Sequence, residues 1–299
     1  MEMLAYHPFR SVEAREQYLK LYDARAKKWP VISESMTVNT SYGQTFVRIS
    51  GPVGAQPLVL LHGIGGSSLQ WRPNIEALSR CYRTYAVDNI YDYGRSVYTR
   101  NIESPDDFVK WLDELFSVLE LGDNINLVGL SYGGWLTSQY ALRFPHRLEK
   151  IVLLAPAGTV LPLRSEWIAR AILSVLPHRY FLKSLMHWLL EDLAQKDEAS
   201  RTMLEEEVDA AFIATRSFKR KRLVSPTVLE DKELQSIKMP ALYLVGENEK
   251  IYSPQEAVQR LNDVAPQIET VIIPNCGHDL TMVQADMVNR KILEFLKGL

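Results

Sequence analysis

Short apolar segments alternate with amphipathic helical patterns along most of the chain. The apolar segments end at turn or polar residues and largely lack period-two alternation; they lie at 57–61, 82–87, 125–130, 151–154, 241–245 and 271–273. Such runs are typical of strands buried on both faces of a parallel sheet. The helical patterns supply the right-handed crossovers that parallel strands need, at 71–79, 105–119, 133–143, 254–263 and 286–296. The pattern predicts an α/β fold.

The alternation is interrupted once, between residues 161 and 235. Helical patterns without a strand between them fill this stretch, at 164–176, 180–193 and 200–214. The stretch is too long for a structureless loop in a compact domain. We therefore expect a helical cap (lid) at 161–235, laid on a core formed by residues 1–160 and 236–299.

The segment upstream of the parallel strands has a different pattern. Residues 36–40 and 44–49 alternate between apolar and polar side chains, as the strands of an antiparallel edge hairpin do. Residues 11–28 form one further helical pattern near the amino end.

Residues 129–134 read Gly-Leu-Ser-Tyr-Gly-Gly and contain the pattern G-x-S-x-G. A predicted strand precedes this hexapeptide and a helical pattern follows it, so the chain must turn sharply at Ser131. Glycines two residues before and two residues after the serine let the backbone segments pass closely. The turn exposes the hydroxyl at a helix N-terminus, whose N–H groups stabilise a developing anion. Ser131 is the expected nucleophile.

A glycine-rich segment, His-Gly-Ile-Gly-Gly at 62–66, follows the strand at 57–61. Acyl transfer needs an N–H donor from such a loop, in addition to the N–H of the residue after the nucleophile. We expect the N–H of Ile64, with that of Gly65 as second choice, and the N–H of Tyr132 to hold the oxyanion. No Gly-Lys-Ser/Thr follows, as it would in a phosphate-binding loop. The histidine at 62 is expected to shape the turn through hydrogen bonds rather than to act as a base.

His278 stands out among the six histidines because it follows the last predicted strand, in the loop Pro-Asn-Cys-Gly-His-Asp at 274–279. We expect it to take the serine proton. A carboxylate must orient the imidazole and stabilise the imidazolium. The strand at 241–245 is followed by Glu247 and Glu249, which are both candidates; Asp279 is a weaker third because it adjoins the histidine.

With these segments in place, the chain resembles the α/β-hydrolases over nearly its whole length, and serine, acid and histidine follow in that superfamily's order. Within it, the sequence is similar to the bacterial carboxylesterase NP group, which cleaves esters of 2-arylpropionic acids such as naproxen. The likeness rests on YGQT at 42–45, PLVLLHG at 57–63, YRTYAVD at 82–88, GLS at 129–131 and GENEKIY at 246–252.

The resemblance implies a mostly parallel eight-stranded sheet flanked by helices, with the cap inserted after strand six. In this superfamily the acid is the third residue after the glycine that ends its strand, and it is most often Asp. That position holds Glu249 here, and the NP-like group also uses Glu, so the resemblance favours Glu249 over Glu247.

These residues predict a serine hydrolase that cleaves carboxylic esters of small to medium apolar acids through an acyl-enzyme. The resemblance adds arylpropionate-type esters to this expectation. Fold alone does not decide the reaction, so a carbon–carbon bond hydrolase, an acyltransferase or a perhydrolase on the same triad, or a small-molecule binder, remain alternatives. The proposed chemistry needs no metal and no organic cofactor.

The cap is expected to select the substrate. Four of its side chains are expected to line the pocket: Trp167, Met186, Trp188 and Phe212. Helical stripes of such residues are also typical of core packing.

The cap also carries a basic run, Lys-Arg-Lys-Arg at 219–222. This run either attracts an anion or acidic partner or forms a solvated helix end offset by three glutamates at 205–207, and we expect the latter.

Charge and cysteine content exclude further classes of protein. Lys plus Arg number 34 and Asp plus Glu number 36, which gives no electrostatic case for nucleic acid as a partner. Cys81 and Cys276 cannot form a four-cysteine zinc site, and Cys276 is expected to be a packed loop residue rather than a reactive thiol. We expect no secretory leader, because residues 1–8 lack a basic region followed by an apolar run, and no membrane span, because no apolar run approaches 18 residues. A cytoplasmic enzyme for a small-molecule ester, of open oligomeric state, is expected.

Overall fold

One nine-stranded sheet runs through the computed structural model, which describes residues 7–298. Its strands are β1 (Ser33–Thr40), β2 (Gly43–Ser50), β3 (Pro57–Leu61), β4 (Arg83–Val87), β5 (Val97–Tyr98), β6 (Ile125–Leu130), β7 (Leu148–Leu154), β8 (Ala241–Gly246) and β9 (Ile268–Ile273). The order across the sheet is β1-β2-β4-β3-β6-β7-β8-β9, and β5 pairs with β2. The six strands from β4 to β9 in this order are parallel, and the expected antiparallel hairpin is formed by β1 and β2.

The strand count is nine within residues 7–298, whereas eight were expected. The additional strand is β5, which has two residues and pairs only with Gly43 and Gln44. A two-residue strand has no periodicity, so the sequence pattern could not predict it.

Twelve α-helices connect and cover the strands within the described residues. They are α1 (Val12–Ala26), α2 (Arg72–Ser79), α3 (Pro105–Val118), α4 (Tyr132–Arg143), α5 (Ser165–Ser174), α6 (Arg179–Leu189), α7 (Glu191–Lys196), α8 (Glu198–Ser217), α9 (Asp231–Gln235), α10 (Pro254–Val264), α11 (Leu280–Val283) and α12 (Ala285–Lys297). Helix α3 begins at a capping box between Ser104 and Asp107 with Pro105 in the first turn, which is how a helix start is encoded locally. None of the helices within residues 7–298 is long and apolar enough to cross a bilayer.

The core lies on both faces of the sheet. Successive residues of a strand point to opposite faces, so Val59 and Leu61 join one apolar cluster while Leu58 and Leu60 join the other. All six residues of β6 and all six of β8 are buried. Helices α3, α4 and α10 pack on the first face, and α1, α2 and α12 pack on the second. The continuous apolar runs of the sequence are explained by this double coverage.

The first helix ties the core to the cap. The Tyr22 hydroxyl of α1 donates to Asp88 Oδ2 at 3.0 Å, in the loop after β4. On the same helix Arg25 forms an ion pair with Glu207 of α8. Helix α1 is therefore wedged between the sheet and the longest helix of the segment 161–235.

The segment 161–235, which we call the cap, lies between β7 and β8. Strand β7 is the sixth strand when the short β5 is left out of the count. The single helical pattern expected at 180–193 is two helices, α6 and α7, because Leu190 leaves the helical conformation (φ −112°, ψ 43°). Helix α5 has no buried residue, and the chain after α8 has no regular structure until α9.

Candidate active site

Ser131 lies at a sharp turn between β6 and α4, with φ 53° and ψ −114°. This conformation is strained for a residue with a side chain. A Cβ on Gly129 would stand 2.1 Å from the Gly133 carbonyl oxygen, and a Cβ on Gly133 would stand 2.2 Å from the Leu61 carbonyl oxygen. Glycine is therefore required at both positions of the motif, and the turn holds the serine at the end of its strand.

Two further loops reach the same edge of the sheet as this serine. Ser131 follows β6, Glu249 follows β8 by three residues, and His278 follows β9 by five. Strands β6, β7, β8 and β9 are parallel neighbours, so their carboxyl ends meet at one edge. In open α/β sheets this edge is where ligands bind.

The loop at 62–66 lies against the serine, because a Cβ on Gly63 would stand 3.3 Å from the Cβ of Ser131. The N–H of Gly65, the second-choice oxyanion donor, already donates to Asp92 Oδ2 at 3.0 Å. Among residues 7–298, neither the N–H of Ile64 nor that of Tyr132 donates to a protein acceptor. Both expected oxyanion donors are therefore available to a ligand.

His62 is buried and both of its ring nitrogens are engaged. The Asn89 N–H donates to its Nε2 at 3.0 Å, so Nδ1 carries the proton and donates to the Gly63 carbonyl oxygen at 2.8 Å. Neither nitrogen is left to exchange a proton with a substrate. His62 joins two loops at the sheet edge, as the expected shaping role requires.

Glu249 and His278 form a hydrogen-bonded pair. Nδ1 of His278 donates to Glu249 Oε2 at 2.8 Å, and the Lys250 and Ile251 N–H groups donate to Glu249 Oε1 at 2.8 and 3.0 Å. The Glu249 side chain is 0% exposed and the His278 side chain is 9% exposed. Glu247 instead is exposed and accepts the Asn275 N–H at 3.1 Å. Of the two carboxylates that follow β8, only Glu249 is hydrogen-bonded to the histidine.

The pair changes the acidity of the imidazole. Burial alone would lower the pKa of His278, but the charge of Glu249 and its hydrogen bond outweigh burial. The pKa of His278 therefore lies above the usual 6.5. Because Nδ1 is bound to Glu249, Nε2 is the nitrogen that can exchange a proton.

The loop that carries His278 folds over the end of β8. The Asn248 N–H donates to the Cys276 carbonyl oxygen at 2.9 Å, and a Cβ on Gly246 would stand 2.3 Å from the Gly277 carbonyl oxygen. Cys276 is buried in this loop, and burial raises the pKa of its thiol to about 12. A thiol of this kind is not a nucleophile near neutral pH.

Asp279 fastens the same loop to the cap. Its Oδ1 accepts the Gly277 N–H at 3.0 Å, and its Oδ2 accepts the N–H of Leu193, in the first turn of α7, at 2.7 Å. Burial raises the pKa of this carboxyl to about 6. Asp279, the third candidate for the triad acid, is thus engaged with a cap helix, and nothing local in the sequence indicates this contact.

Two further contacts hold α7 on the loop of Glu249. The Asn248 side-chain amide donates to Asp192 Oδ1 at 3.0 Å, and Lys250 forms an ion pair with Glu191. Together with Asp279, these contacts attach one cap helix to the loops on both sides of the Glu249–His278 pair. We call this set of contacts the cap clamp.

The four cap side chains expected to line the pocket have different surroundings. Trp188 lies beside the candidate site, since the Lys250 ammonium is 5.6 Å from its ring centroid. Trp167 packs against the same large core cluster as Trp188. Met186 packs against the cap's own cluster of Leu193, Leu204 and Val208, and Phe212 is half-buried on α8.

Among residues 7–298, no three His, Cys, Asp or Glu side chains are grouped so that they could hold a metal ion.

Comparisons with known proteins agree with this geometry. Residues 56–285 match the family model of the alpha/beta hydrolase fold. The chain is 34% identical over 296 residues to the carboxylesterase YbfK of Bacillus subtilis (strain 168), covering 97% of each. The crystal structure of naproxen esterase (carboxylesterase NP) from Bacillus subtilis aligns with a TM-score of 0.87 at 33% identity, covering 96% of this chain and 99% of that one. A 2-hydroxy-6-oxo-2,4-heptadienoate hydrolase of Pseudomonas putida is 28% identical over 257 residues, covering 82% of this chain and 90% of the hydrolase.

Proposed function

The chain belongs to the α/β-hydrolase family, and from that premise we propose that it is a carboxylesterase that works through Ser131, His278 and Glu249. The observation that carries the proposal is the 2.8 Å hydrogen bond between His278 and Glu249. It lies at the sheet edge where the strained turn holds Ser131. The likeness to named carboxylesterases over nearly the whole chain supports the same conclusion.

In the first half-reaction, the Ser131 hydroxyl attacks the ester carbonyl carbon while His278 Nε2 takes its proton. The buried carboxylate of Glu249 stabilises the imidazolium that results. The negative charge moves onto the carbonyl oxygen, where the N–H groups of Ile64 and Tyr132 receive it. Such preorganised donors contribute roughly 10²- to 10³-fold in rate each.

The first half-reaction ends when the imidazolium of His278 gives its proton to the leaving alcohol, and an acyl group remains on Ser131. In the second half-reaction a water molecule attacks the acyl carbon while His278 Nε2 takes its proton. His278 then returns that proton to the Ser131 oxygen as the bond between this oxygen and the acyl carbon breaks, and the acid product leaves. Each step uses only side chains and N–H groups of this chain.

For the substrate we propose an uncharged ester of a small to medium apolar acid, with arylpropionate-type esters included. The likeness to naproxen esterase supports this class. Trp188 beside Lys250 and Trp167 on the same cluster supply apolar surface near the acid–histidine pair. Met186 and Phe212 are proposed as more distant parts of the same wall.

One alternative has an observation in its favour. The likeness to the Pseudomonas putida hydrolase over 82% of this chain favours a carbon–carbon bond hydrolase on the same three residues. Such an enzyme would turn over a 2-hydroxy-6-oxo-dienoate, the class of compound in that hydrolase's name.

A kinetic screen tests the proposal. Wild type is assayed with p-nitrophenyl esters of graded acyl length, with a 2-arylpropionate ester and with 2-hydroxy-6-oxo-2,4-heptadienoate. Ser131→Ala is expected to lower the ester rate by about 10⁴-fold or more, whereas Ser138→Ala, on the same helix, keeps it. Turnover of the dienoate without any ester would favour the alternative. Full esterase activity in Ser131→Ala would refute the proposed mechanism.

A further inference from the structure

The basic run at 219–222 is not the end of a helix. Helix α8 ends at Ser217, and Phe218 forms an isolated bridge with Phe9. The Lys219 N–H donates to the Pro8 carbonyl oxygen at 3.0 Å. The run therefore lies beyond the helix in irregular chain that is tied to residues 8 and 9 at its start, and the expectation of a helix end was wrong.

The three glutamates expected to offset the run pair with other cations. Glu205 lies 3.0 Å from Arg179, 2.6 Å from Lys183 and 2.8 Å from His187. Glu206 pairs with Lys28, two residues after α1, and Glu207 pairs with Arg25 and Arg72. The expected compensation is thus absent, because α8 turns these side chains toward α1, α2 and α6.

The run instead lines a cavity of about 390 Å³. Arg220, Lys221 and Arg222 face it together with Tyr91, Tyr98 and Glu103. Three cationic side chains therefore share the space with one carboxylate. Within residues 7–298, none of the three makes an ion pair, whereas most arginines elsewhere in the described chain do. A cleft lined by one sign of charge concentrates ions of the opposite sign.

Lys221 is fixed at the wall of this cavity. Its Nζ donates to the Asp92 carbonyl oxygen at 3.1 Å and lies 5.0 Å from the ring centroid of Tyr91 and 5.9 Å from that of Tyr98. An ammonium has three donors, so two remain for a ligand. Burial lowers the pKa of this ammonium to about 8, which still leaves it mostly charged at neutral pH.

The two arginines supply further donors. Arg220 uses one N–H to bind the Val175 carbonyl oxygen at 3.3 Å, and a guanidinium offers five. Burial raises the pKa of the Tyr91 and Tyr98 phenols, so both stay neutral and do not repel an anion. Guanidinium groups match the paired oxygens of carboxylates and phosphates.

We propose that this cavity binds a small doubly charged oxyanion, either a phosphate-bearing molecule or a dicarboxylate. The volume lies in the range of small-ligand pockets, so there is room for an organic group beside the charged one. The site lies outside the proposed catalytic residues. The proposal therefore does not depend on the esterase activity, and binding can be measured without turnover.

Isothermal titration calorimetry at fixed ionic strength tests this site, with inorganic phosphate and succinate as probes. At least one probe is expected to bind wild type saturably, with a Kd on the order of 1 mM. Losing the two guanidinium groups in R220Q/R222Q is expected to weaken binding by roughly tenfold or more. The probe that binds more tightly distinguishes a phosphate ligand from a dicarboxylate.

A second pocket provides a matched control. It measures about 320 Å³ and is lined by Arg290 and Lys297 but also by Asp286 and Glu294, so its charges are balanced. R290Q/K297Q also removes two positive charges from the protein, but at the second pocket, and is expected to leave the affinity unchanged. Equal loss in both double variants, unchanged affinity in R220Q/R222Q, or no saturable binding to wild type would each overturn the proposal. A finding that wild type has no esterase activity would leave the anion-binding proposal standing.

Discussion

Asp279 accepts the backbone N–H of Leu193 at 2.7 Å, across 86 positions of the sequence. The carboxylate next to the proposed catalytic base therefore caps the first turn of the cap helix α7. Together with the contacts of Asp192 and Glu191, this side chain holds the cap on the loops that carry His278 and Glu249. The contact links the cap, which we propose selects the ester, to the loop of the residue that we propose transfers the proton.

The first prediction concerns this coupling. Asp279→Ala leaves the Leu193 N–H buried without an acceptor, which typically costs about 1–3 kcal/mol. We expect a lower free energy of unfolding in urea, faster proteolysis within the cap, and a raised KM. Asp279→Asn retains an oxygen that can accept the Leu193 N–H, so its KM should stay near that of wild type. Equal KM values in wild type and Asp279→Ala would contradict the coupling.

The second prediction concerns the pH dependence of kcat/KM. His278 must be neutral to accept the serine proton, so activity rises with pH through its pKa, which in wild type lies above 6.5. Removing the charge of Glu249 removes the interactions that raise this pKa. Glu249→Gln is therefore expected to lower the plateau by up to about 10⁴-fold and to move its midpoint to lower pH. Glu247→Gln is the control and should keep the wild-type profile; the reverse outcome would assign the acid to Glu247.

The third prediction concerns the two thiols. Cys81 is exposed, whereas Cys276 is buried with a pKa raised to about 12. Only a thiolate reacts with iodoacetamide, so at pH 8 the native protein is expected to take up one label, at Cys81, without losing activity. Peptide mapping by mass spectrometry locates the label, and Cys81→Ser should remain unlabelled. A native adduct on Cys276 would contradict the burial argument.

The fourth prediction concerns the turn at Ser131. In Gly133→Ala the new methyl group would stand 2.2 Å from the Leu61 carbonyl oxygen, and overpacking of this kind costs about 1–3 kcal/mol. We expect a lower melting temperature together with a loss of activity. Gly54→Ala is the comparison, because its methyl group would meet nothing within 4 Å and only its positive φ of 82° is strained. A Gly133→Ala variant as stable as Gly54→Ala would show that the turn can relax.

The sheet could be predicted because strands such as β6 and β8 are buried on both faces, which leaves a continuous apolar run in the sequence. The positions of Ser131 and His278 could be predicted for a related reason, since both follow such runs closely. The choice between Glu247 and Glu249 could not be made from the local pattern, because both follow the same strand. In the structure Glu249 is hydrogen-bonded to His278 and Glu247 to the Asn275 N–H, and both partners lie on the loop at 274–279, which is distant in sequence.

The remaining features depend on contacts between distant segments. The break between α6 and α7 coincides with the cap clamp, whose partners lie 56 and 86 positions away. The partners of Glu206 and Glu207, Lys28 and Arg25, lie 178 and 182 positions away. No local periodicity encodes such pairs, so a charge balance inferred from neighbours in sequence was wrong for the basic run.

Strands β7 and β8 pair directly, with Ile151 opposite Ala241, although the whole cap lies between them in the chain. The hydrogen bonds of the sheet therefore do not pass through the inserted helices. A replacement segment would have to reproduce the crossover from 155 to 240, the Leu193 N–H and the two carboxylates of the clamp, and the contacts of α8 with α1. The cap can therefore be exchanged as one segment without breaking the pairing of β7 and β8, and its proposed role in selecting the ester predicts that such an exchange changes the substrate range.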